Sequence, residues 1–245
     1  MLMISRQLEI LEILKKQKSV SVAELSRKLF ASEPTVRRDL AYLEKQGYLK
    51  RVYGGAILGG APDREIPYEI RSGEQEDAKA MIARRAAAYL HKGDVVFLDG
   101  SSSAARMVEP IKEIGDILVV TSGAKTAIAL AEAGIRVIST GGQMRTRSFT
   151  YVGNHAEACV RSMRADTVFF SCRGLSDDGE MTDVSIDEIN LRRAMLERAR
   201  VKILLCDSSK FGKQYMYSLG YRENLDAVIS ETTETNSKSR KGDAP

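Results

Sequence analysis

Apolar residues fall at helical spacing in three short runs at the start of the chain. Ile4, Leu8, Leu11 and Leu14 form one stripe. Val22, Leu25 and Leu29 form a second. It is opened by Ser21-Val22-Ala23-Glu24, a capping box whose hydroxyl and carboxylate can each satisfy a free backbone N–H. Val36, Leu40 and Leu43 form a third, with Ser32 as N-cap, Pro34 tolerated in the first turn and Gly47 as the stop. Only Phe30-Ala31 separates the second run from the third, which is the spacing of a helix-turn-helix. Apolar and basic residues then alternate from Tyr48 to the Gly54-Gly55 turn, predicting a small hairpin that would be a wing.

The period changes further on. Segment 58–76 has no regular spacing and holds Pro62 and Pro67, so it reads as a linker, with Ile66, Tyr68 and Ile70 as docking residues. Short apolar runs then alternate with helical ones. Strands are predicted at Val95–Leu98, Ile117–Val120, Arg136–Ile138, Thr167–Phe170 and Lys202–Cys206. Helices are predicted at Ala78–Leu90, Ala104–Ile114, Ala124–Ala133, Ala156–Met163 and Asp187–Ala199. Such alternation implies a doubly wound, mostly parallel α/β sheet. The fold class is α/β overall, with a small N-terminal winged helix-turn-helix (1–57), the linker (58–76) and a larger α/β domain (77–231). Residues 232–245, rich in Thr, Ser and Lys, read as a disordered tail.

Composition adds two constraints. The 245 residues carry a net charge of +4, but residues 1–60 hold eleven Lys/Arg against six Asp/Glu, so the positive excess lies on the helix-turn-helix. That places attraction for a phosphate backbone where the fold would present it. Three cysteines without close spacing argue against a disulfide framework, and two scattered histidines against a His-rich metal site. No apolar run reaches the ~20 residues of a membrane helix and Met1–Ser5 does not open a secretory signal, so a cytoplasmic protein with no membrane partner is expected.

On the third helix the buried stripe leaves Glu33, Thr35, Arg37 and Arg38 facing outward. Arginine bonds bidentately to guanine, and threonine meets a thymine methyl or a phosphate; spacing does not separate base from phosphate contacts for Arg37 and Arg38. Asp39 is expected to tie down a neighbouring arginine. Lys50 and Arg51 of the wing would reach phosphate. In the larger domain, small polar residues gather at predicted strand ends. These are Asp99-Gly100-Ser101-Ser102-Ser103, Thr121-Ser122, Gly141-Gly142 and the loop of Lys210. Ligands of doubly wound sheets bind at such ends, and hydroxyls with backbone N–H groups suit an anion. Arg173 is a further anion ligand or a structural ion-pair partner. Arg192-Arg193 reads as pocket residues or as a solvated helix face, the second being favoured, and Cys172 as packing.

Thr35-Val36-Arg37-Arg38-Asp39-Leu40, with Leu43, Gly47, Leu49, Arg51 and Gly54-Gly55-Ala56, resembles the signature of the DeoR family of bacterial regulators. Lys79…Ile82-Ala83, Gly93-Asp94…Leu98-Asp99-Gly100-Ser101-Ser102, Val119-Val120-Thr121-Ser122 and Asp207-Ser208-Ser209-Lys210-Phe211-Gly212 resemble that family's C-terminal sensor, which is related in fold to sugar-phosphate isomerases. Two departures stand out: Ala31-Ser32-Glu33-Pro34 where the family has Val-Ser before the helix, and Ser102-Ser103 where it often has threonine. The resemblance implies a repressor of sugar-metabolism genes that binds a double-stranded operator as a homo-oligomer and is released by a phosphorylated sugar. Carried over by position, Ser101, Ser102 and Ser103 would hold phosphate, Thr121 and Ser122 would line the pocket, and Lys210 would close it. No cofactor or metal is implied. Nor is a catalytic residue, because the segment after Phe170 lacks the two acidic residues of the isomerases, although Asp99, Asp178 and Glu180 stand as alternative bases. Two alternatives stand beside this reading: an isomerase-like enzyme, and a DNA-binding protein whose α/β domain only oligomerises.

Overall fold

The computed structural model describes residues 2–45, 47–58, 66–232 and 234–236; for 2–5, 15, 16, 58 and 234–236 only the backbone is described. Two compact units meet in sequence at Glu74 and Gln75. The first runs α1 (Leu2–Gln17), β1 (Ser19–Ser21), α2 (Val22–Lys28), α3 (Glu33–Lys45), β2 (Leu49–Val52), β3 (Gly55–Leu58) and α4 (Tyr68–Gly73). Ile10, Leu14, Leu25, Val36, Leu40 and Leu43 share one buried core, with Leu8 half-buried against it; the Ile4 side chain lies outside the described set. Burying each such side chain contributes roughly 1.5–3 kcal/mol, far more than helix propensity.

The punctuation of this unit follows from individual residues. Ser21 Oγ accepts from Glu24 N–H at 3.1 Å, while the Glu24 carboxylate pairs with Lys28 at 2.8 Å. Gly47 ends α3 in the left-handed region (φ 80°), letting Tyr48 N–H reach back to Leu43 O. The wing hairpin β2–β3 gains a third strand, β1, which pairs antiparallel with β3. Gly55 permits that approach, since a Cβ there would lie 2.3 Å from Val20 O. Asp39 is buried on α3; its Oδ2 accepts from Arg6 Nε at 2.5 Å and its Oδ1 from Gln7 Nε2 at 3.2 Å. The arginine it ties down therefore comes from α1.

The second unit runs α5 (Glu76–Ala86), β4 (Val95–Leu98), α6 (Val108–Ile114), β5 (Leu118–Thr121), α7 (Ala124–Glu132), β6 (Arg136–Ser139), β7 (Gln143–Arg145), β8 (Thr150–Val152), α8 (Asn154–Arg161), β9 (Ala165–Phe170), β10 (Gly174–Leu175), β11 (Glu180–Asp183), α9 (Ile186–Arg198), β12 (Ala199–Leu205), β13 (Tyr217–Tyr221), β14 (Ala227–Ile229) and β15 (Glu234–Asn236). The main sheet has the order β15-β14-β12-β9-β4-β5-β6 and is parallel except for β15. Both faces are covered. Val96, Leu98, Phe169, Ile203 and Leu205 pack with Ile82, Met107, Ile111 and Leu130 on one side. Phe97, Val168, Phe170 and Leu204 pack with Val160, Ile189 and Met195 on the other. The winding reverses between β4 and β9: the chain steps from β4 to β5 and β6 on one side, then returns to β9, β12 and β14 on the other. The expected doubly wound sheet is present, and its switch point is the crevice between the ends of β4 and β9.

Four segments add structure to the sequence reading, the first of them by forming a helix around the expected docking residues. Within 58–76, α4 packs on α1, with Ile70 buried and Ile66 half-buried in the first unit's core; Pro62, with the rest of 59–65, lies outside the described residues. Within 232–245, residues 234–236 form β15, antiparallel to β14, because the open backbone edge of β14 is satisfied by any short extended segment; 233 and 237–245 lie outside the described residues. A small sheet β10-β11-β13 and the hairpin β7–β8 were not anticipated. Among the described residues, no helix is long and apolar enough to cross a membrane. Replacing Asp39 by Ala leaves the buried end of Arg6 and the Gln7 amide without their acceptor. We expect a loss of about 2 kcal/mol in the first unit, measured by urea denaturation of the wild type and the variant; unchanged stability would refute the anchoring role.

Candidate functional site

In the second unit the ends of β4, β9 and β12 converge. Asp99, one residue past β4, is buried and used on both carboxylate oxygens. Its Oδ1 accepts from Ser101 N–H at 3.1 Å and from Ser101 Oγ at 2.5 Å; its Oδ2 accepts from Arg192 Nε at 2.7 Å and Ser171 N–H at 3.3 Å. Ser101 Oγ in turn accepts from Ala104 N–H at 3.1 Å. Ser101 therefore braces the loop, and its N–H and hydroxyl are committed inside it. Gly100 has no room for a side chain, since a Cβ would lie 2.2 Å from Thr150 Oγ1.

Lys210 arrives from the loop after β12. Its ammonium donates to Ser171 Oγ at 2.7 Å and Ser103 Oγ at 3.3 Å and pairs with Asp207 at 3.2 Å. Burial works against the Lys210 charge, but the Asp207 carboxylate outweighs it and raises the lysine pKa above its ordinary value. Burial likewise opposes the Asp207 charge, and Lys210, Ser209 and Lys79 reverse it, holding that carboxyl below its ordinary value. The cluster is an ammonium held by two hydroxyls and the Asp207 carboxylate at the switch point of the sheet.

The predicted site residues divide into groups. Asp99, Gly100, Ser101, Ser102, Ser103 and Lys210 lie together, and Ser102 is buried. The loop after β5 adjoins them: a Cβ on Gly123 would lie 3.2 Å from Gly100 Cα, and Thr121 Oγ1 accepts from Gly123 N–H at 3.1 Å, a brace like that of Ser101. Ser122 N–H donates to Leu98 O. Gly141 and Gly142 follow β6 at the far edge, where a Cβ on Gly142 would meet Val152 O and Ala156; no described hydrogen bond joins them to the serine loop. Arg173 is stacked over the Tyr215 ring, 5.3 Å from its centroid, and its charge acts on Asp183. Cys172 is buried beside Cys206, and that contact, with burial, keeps the Cys206 thiol well above its ordinary pKa.

Arg192 is not on a solvated face. Its guanidinium is buried and donates to Asp99 at 2.7 Å, Asp183 at 2.5 Å and Glu188 at 3.0 Å, because α9 turns its 188/192/195 stripe onto the sheet. Arg193, one residue on, is exposed and reaches Ser218 O. Burial opposes the Asp183 charge, yet Arg192 and the Val184 N–H outweigh it and lower its pKa. Ser171 and Lys79 carry no assigned site role in the sequence reading, and Arg192 enters it only as the less favoured of two alternatives. Each carried a signal: Ser171 is a hydroxyl at a strand end, Lys79 shares the buried spacing of Ile82, Ala83 and Ala86, and Arg192 lies four residues after Glu188.

In the first unit, Arg38 and Lys50 are exposed with no described side-chain partner. Arg37 pairs with Glu33 at 3.1 Å, and Thr35 Oγ1 meets Ser32 Oγ at 2.9 Å. Arg51 is bound to Glu44, with Nε at 2.6 Å and backbone N–H at 2.8 Å, which fastens the wing to α3.

Replacing Arg192 by Met would strand three buried carboxylates. We expect the second unit to lose about 3–5 kcal/mol and Arg192→Lys to recover only part, by calorimetry; a variant as stable as wild type would refute the hub. The ionic contribution also has a pH window. Asp183 and Asp207 titrate below their ordinary range, so their stabilisation is complete above about pH 4 and is lost as pH falls through the depressed values. Lys210 titrates above its ordinary value, so its share is complete below about pH 10 and is lost as pH rises through the raised one. Melting temperature against pH checks both limits: Asp207→Asn should flatten the acid limb, and an unchanged limb would sink the assignment.

A family model described as the DeoR-like helix-turn-helix domain matches residues 6–59, and one described as the DeoR C terminal sensor domain matches residues 74–232. The uncharacterized HTH-type transcriptional regulator YulB of Bacillus subtilis (strain 168) is 34% identical over 233 residues, covering 95% of this chain and 90% of that protein. The glycerol-3-phosphate regulon repressor of Escherichia coli (strain K12) is 29% identical over 223 residues, covering 91% and 88%. The translation initiation factor eIF-2B of Pyrococcus horikoshii OT3 has a TM-score of 0.51 at 13% identity, covering 96% and 90%, a likeness of fold alone.

Proposed function

The chain belongs to the DeoR family of helix-turn-helix transcriptional regulators, and on that premise we propose that it represses genes of sugar metabolism and is released by a phosphorylated sugar. The repressor sense is supported by its likeness to a protein named a regulon repressor. One observation carries the effector reading: Lys210, Ser103 and Ser171 converge from three chain segments at the switch point of the sheet. A phosphate there would accept from the ammonium and from hydroxyls of the serine loop, while the bracing of Ser101 by Asp99 keeps the loop in shape. The protein acts as a sensor and not an enzyme. A general base needs a free lone pair aimed at the substrate, and both oxygens of Asp99 are taken by the loop and Arg192.

On the DNA side, Arg38 reads base edges or holds flanking phosphate, with Thr35, Arg37 and Glu33 on the same helix and Lys50 and Arg51 on the wing. A single helix-turn-helix contacts only a few base pairs, so the protein binds its operator as a homo-oligomer with repeated half-sites. The effector prefers the state that does not bind DNA; a coupling of ~1–3 kcal/mol changes operator affinity roughly 5–150-fold.

A thermal-shift panel of sugar phosphates, with the unphosphorylated sugars as controls, tests the sensor. One phosphorylated compound should raise the melting temperature, as linkage requires; a flat panel, or an equal response to the plain sugar, removes the phosphate site. Ser102→Ala should weaken that response with operator binding intact. Arg38→Ala should do the reverse, weakening operator binding and lowering the salt dependence by about one counterion if its partner is phosphate.

A further inference from the structure

Two phenylalanines of this chain hold a left-handed backbone, Phe30 at φ 48° and Phe149 at φ 52°. A bulky side chain is unfavourable there, where glycine or asparagine sits at lower cost. At Phe149 packing accounts for the residue, since the Lys125 ammonium lies 4.3 Å from its ring centroid. Phe30 has no such compensation: it is 97% exposed. The turn itself demands the conformation. Leu29 N–H bonds Leu25 O, Ala31 N–H bonds Ser26 O at 3.2 Å, and Ser26 Oγ donates to Ala31 O at 2.6 Å. Neither the turn nor the core calls for an aromatic ring at that position.

A second ring is equally bare. Tyr53, in the wing turn, is fully exposed, and Val52 beside it is 44% exposed. Phe30, Val52 and Tyr53 are the exposed large apolar side chains described in the first unit; the first lies in the turn before α3 and the others where β2 runs into the wing turn. Their neighbours in sequence are rich in cations, of which Lys28, Arg37 and Arg51 are paired with Glu24, Glu33 and Glu44, while Arg38 and Lys50 are exposed. Arg27 and Lys28 precede Phe30, Arg37 and Arg38 follow it, and Lys50 and Arg51 precede Tyr53. An apolar ring set among cations suits a nucleic acid, which offers thymine methyls and deoxyribose edges between phosphates.

We propose that Phe30 is a DNA-contacting residue of the helix-turn-helix, its ring lying against sugar or thymine methyl beside the groove entered by α3, with Tyr53 making the matching apolar contact from the wing. The proposal rests on the DNA-binding reading of this unit and extends it to residues without charge. Such contacts release no counterions, so they add affinity that salt does not remove.

The test uses the full chain and duplexes that the wild type enriches from a randomised library. Affinities of wild type, Phe30→Asn, Tyr53→Ser and Arg38→Ala are compared across roughly 50–200 mM salt. Phe30→Asn should bind about 5–10-fold more weakly at every salt concentration, a loss of the size expected for one lost base or sugar contact. Its slope of log affinity against log salt should match the wild type, and its melting temperature should be equal or higher, because asparagine tolerates the left-handed turn. Tyr53→Ser should behave alike. Wild-type affinity in Phe30→Asn overturns the proposal. So does a loss of affinity that tracks a loss of self-association in sedimentation, which would give the ring to a contact between copies of the chain. Failure of the wild type to enrich any duplex overturns the DNA-binding reading itself, and the proposal with it.

Discussion

The guanidinium of Arg192 sits beneath the ends of the sheet with carboxylates from three directions around it, and the loops of the candidate site depend on that arrangement. A buried charge is tolerable only when it is paired and its donors are used. Here the pairing joins elements far apart in sequence. Asp99 belongs to the turn after β4, Asp183 to β11, and Glu188 to α9 itself. Arg145 on β7 adds a second cation, 3.6 Å from Glu188 and 3.2 Å from Asp187. Irregular backbone that would otherwise be free to move is thereby fixed through side chains. The serine loop takes its shape from Asp99, and Asp99 takes its orientation from Arg192.

Much of the architecture was legible because it depends on local period. The sequence places β4 with its true ends and β5, β9 and β12 within a few residues, because central strands are continuous apolar runs; β6, an exposed edge strand, is legible from its β-branched residues instead. The helix-turn-helix was legible for the same reason, since Val36, Leu40 and Leu43 have one spacing and one outcome. What escaped was structure decided by partners. β15 is three polar residues that become a strand only because β14 offers an edge. β10 is two residues long, and no periodicity can be read in two residues. The helical form of α4 was not legible because its apolar residues are few, although Ile70, an expected docking residue, does lie in the core of the first unit.

The site was legible in its hydroxyls and less so in its charges. Serines after a strand announce themselves, whereas the use each is put to does not. Ser101 and Thr121 turn their polar atoms inward to brace their own loops, and only the three-dimensional neighbours separate a brace from a ligand. Arg192 and Arg193 are adjacent, identical in type and opposite in fate, one buried and one exposed. Rotation of α9 decides between them, and that is set by which side of the helix meets the sheet. Asp39 is the parallel case in the first unit. It lies within a run of charged residues on α3, yet it is a buried anchor for α1.

The environment of Lys210 has a consequence for any molecule that comes to it. The ammonium already has an anion, Asp207, which is covalently attached and always present. An incoming phosphate must share Lys210 with this resident rival or displace it, so the apparent affinity is the intrinsic one divided by the strength of the internal pair. A carboxylate placed this way works as a threshold setting. In the proposed sensor it would favour a doubly charged anion over a weakly charged one, because only the former competes well with the resident carboxylate.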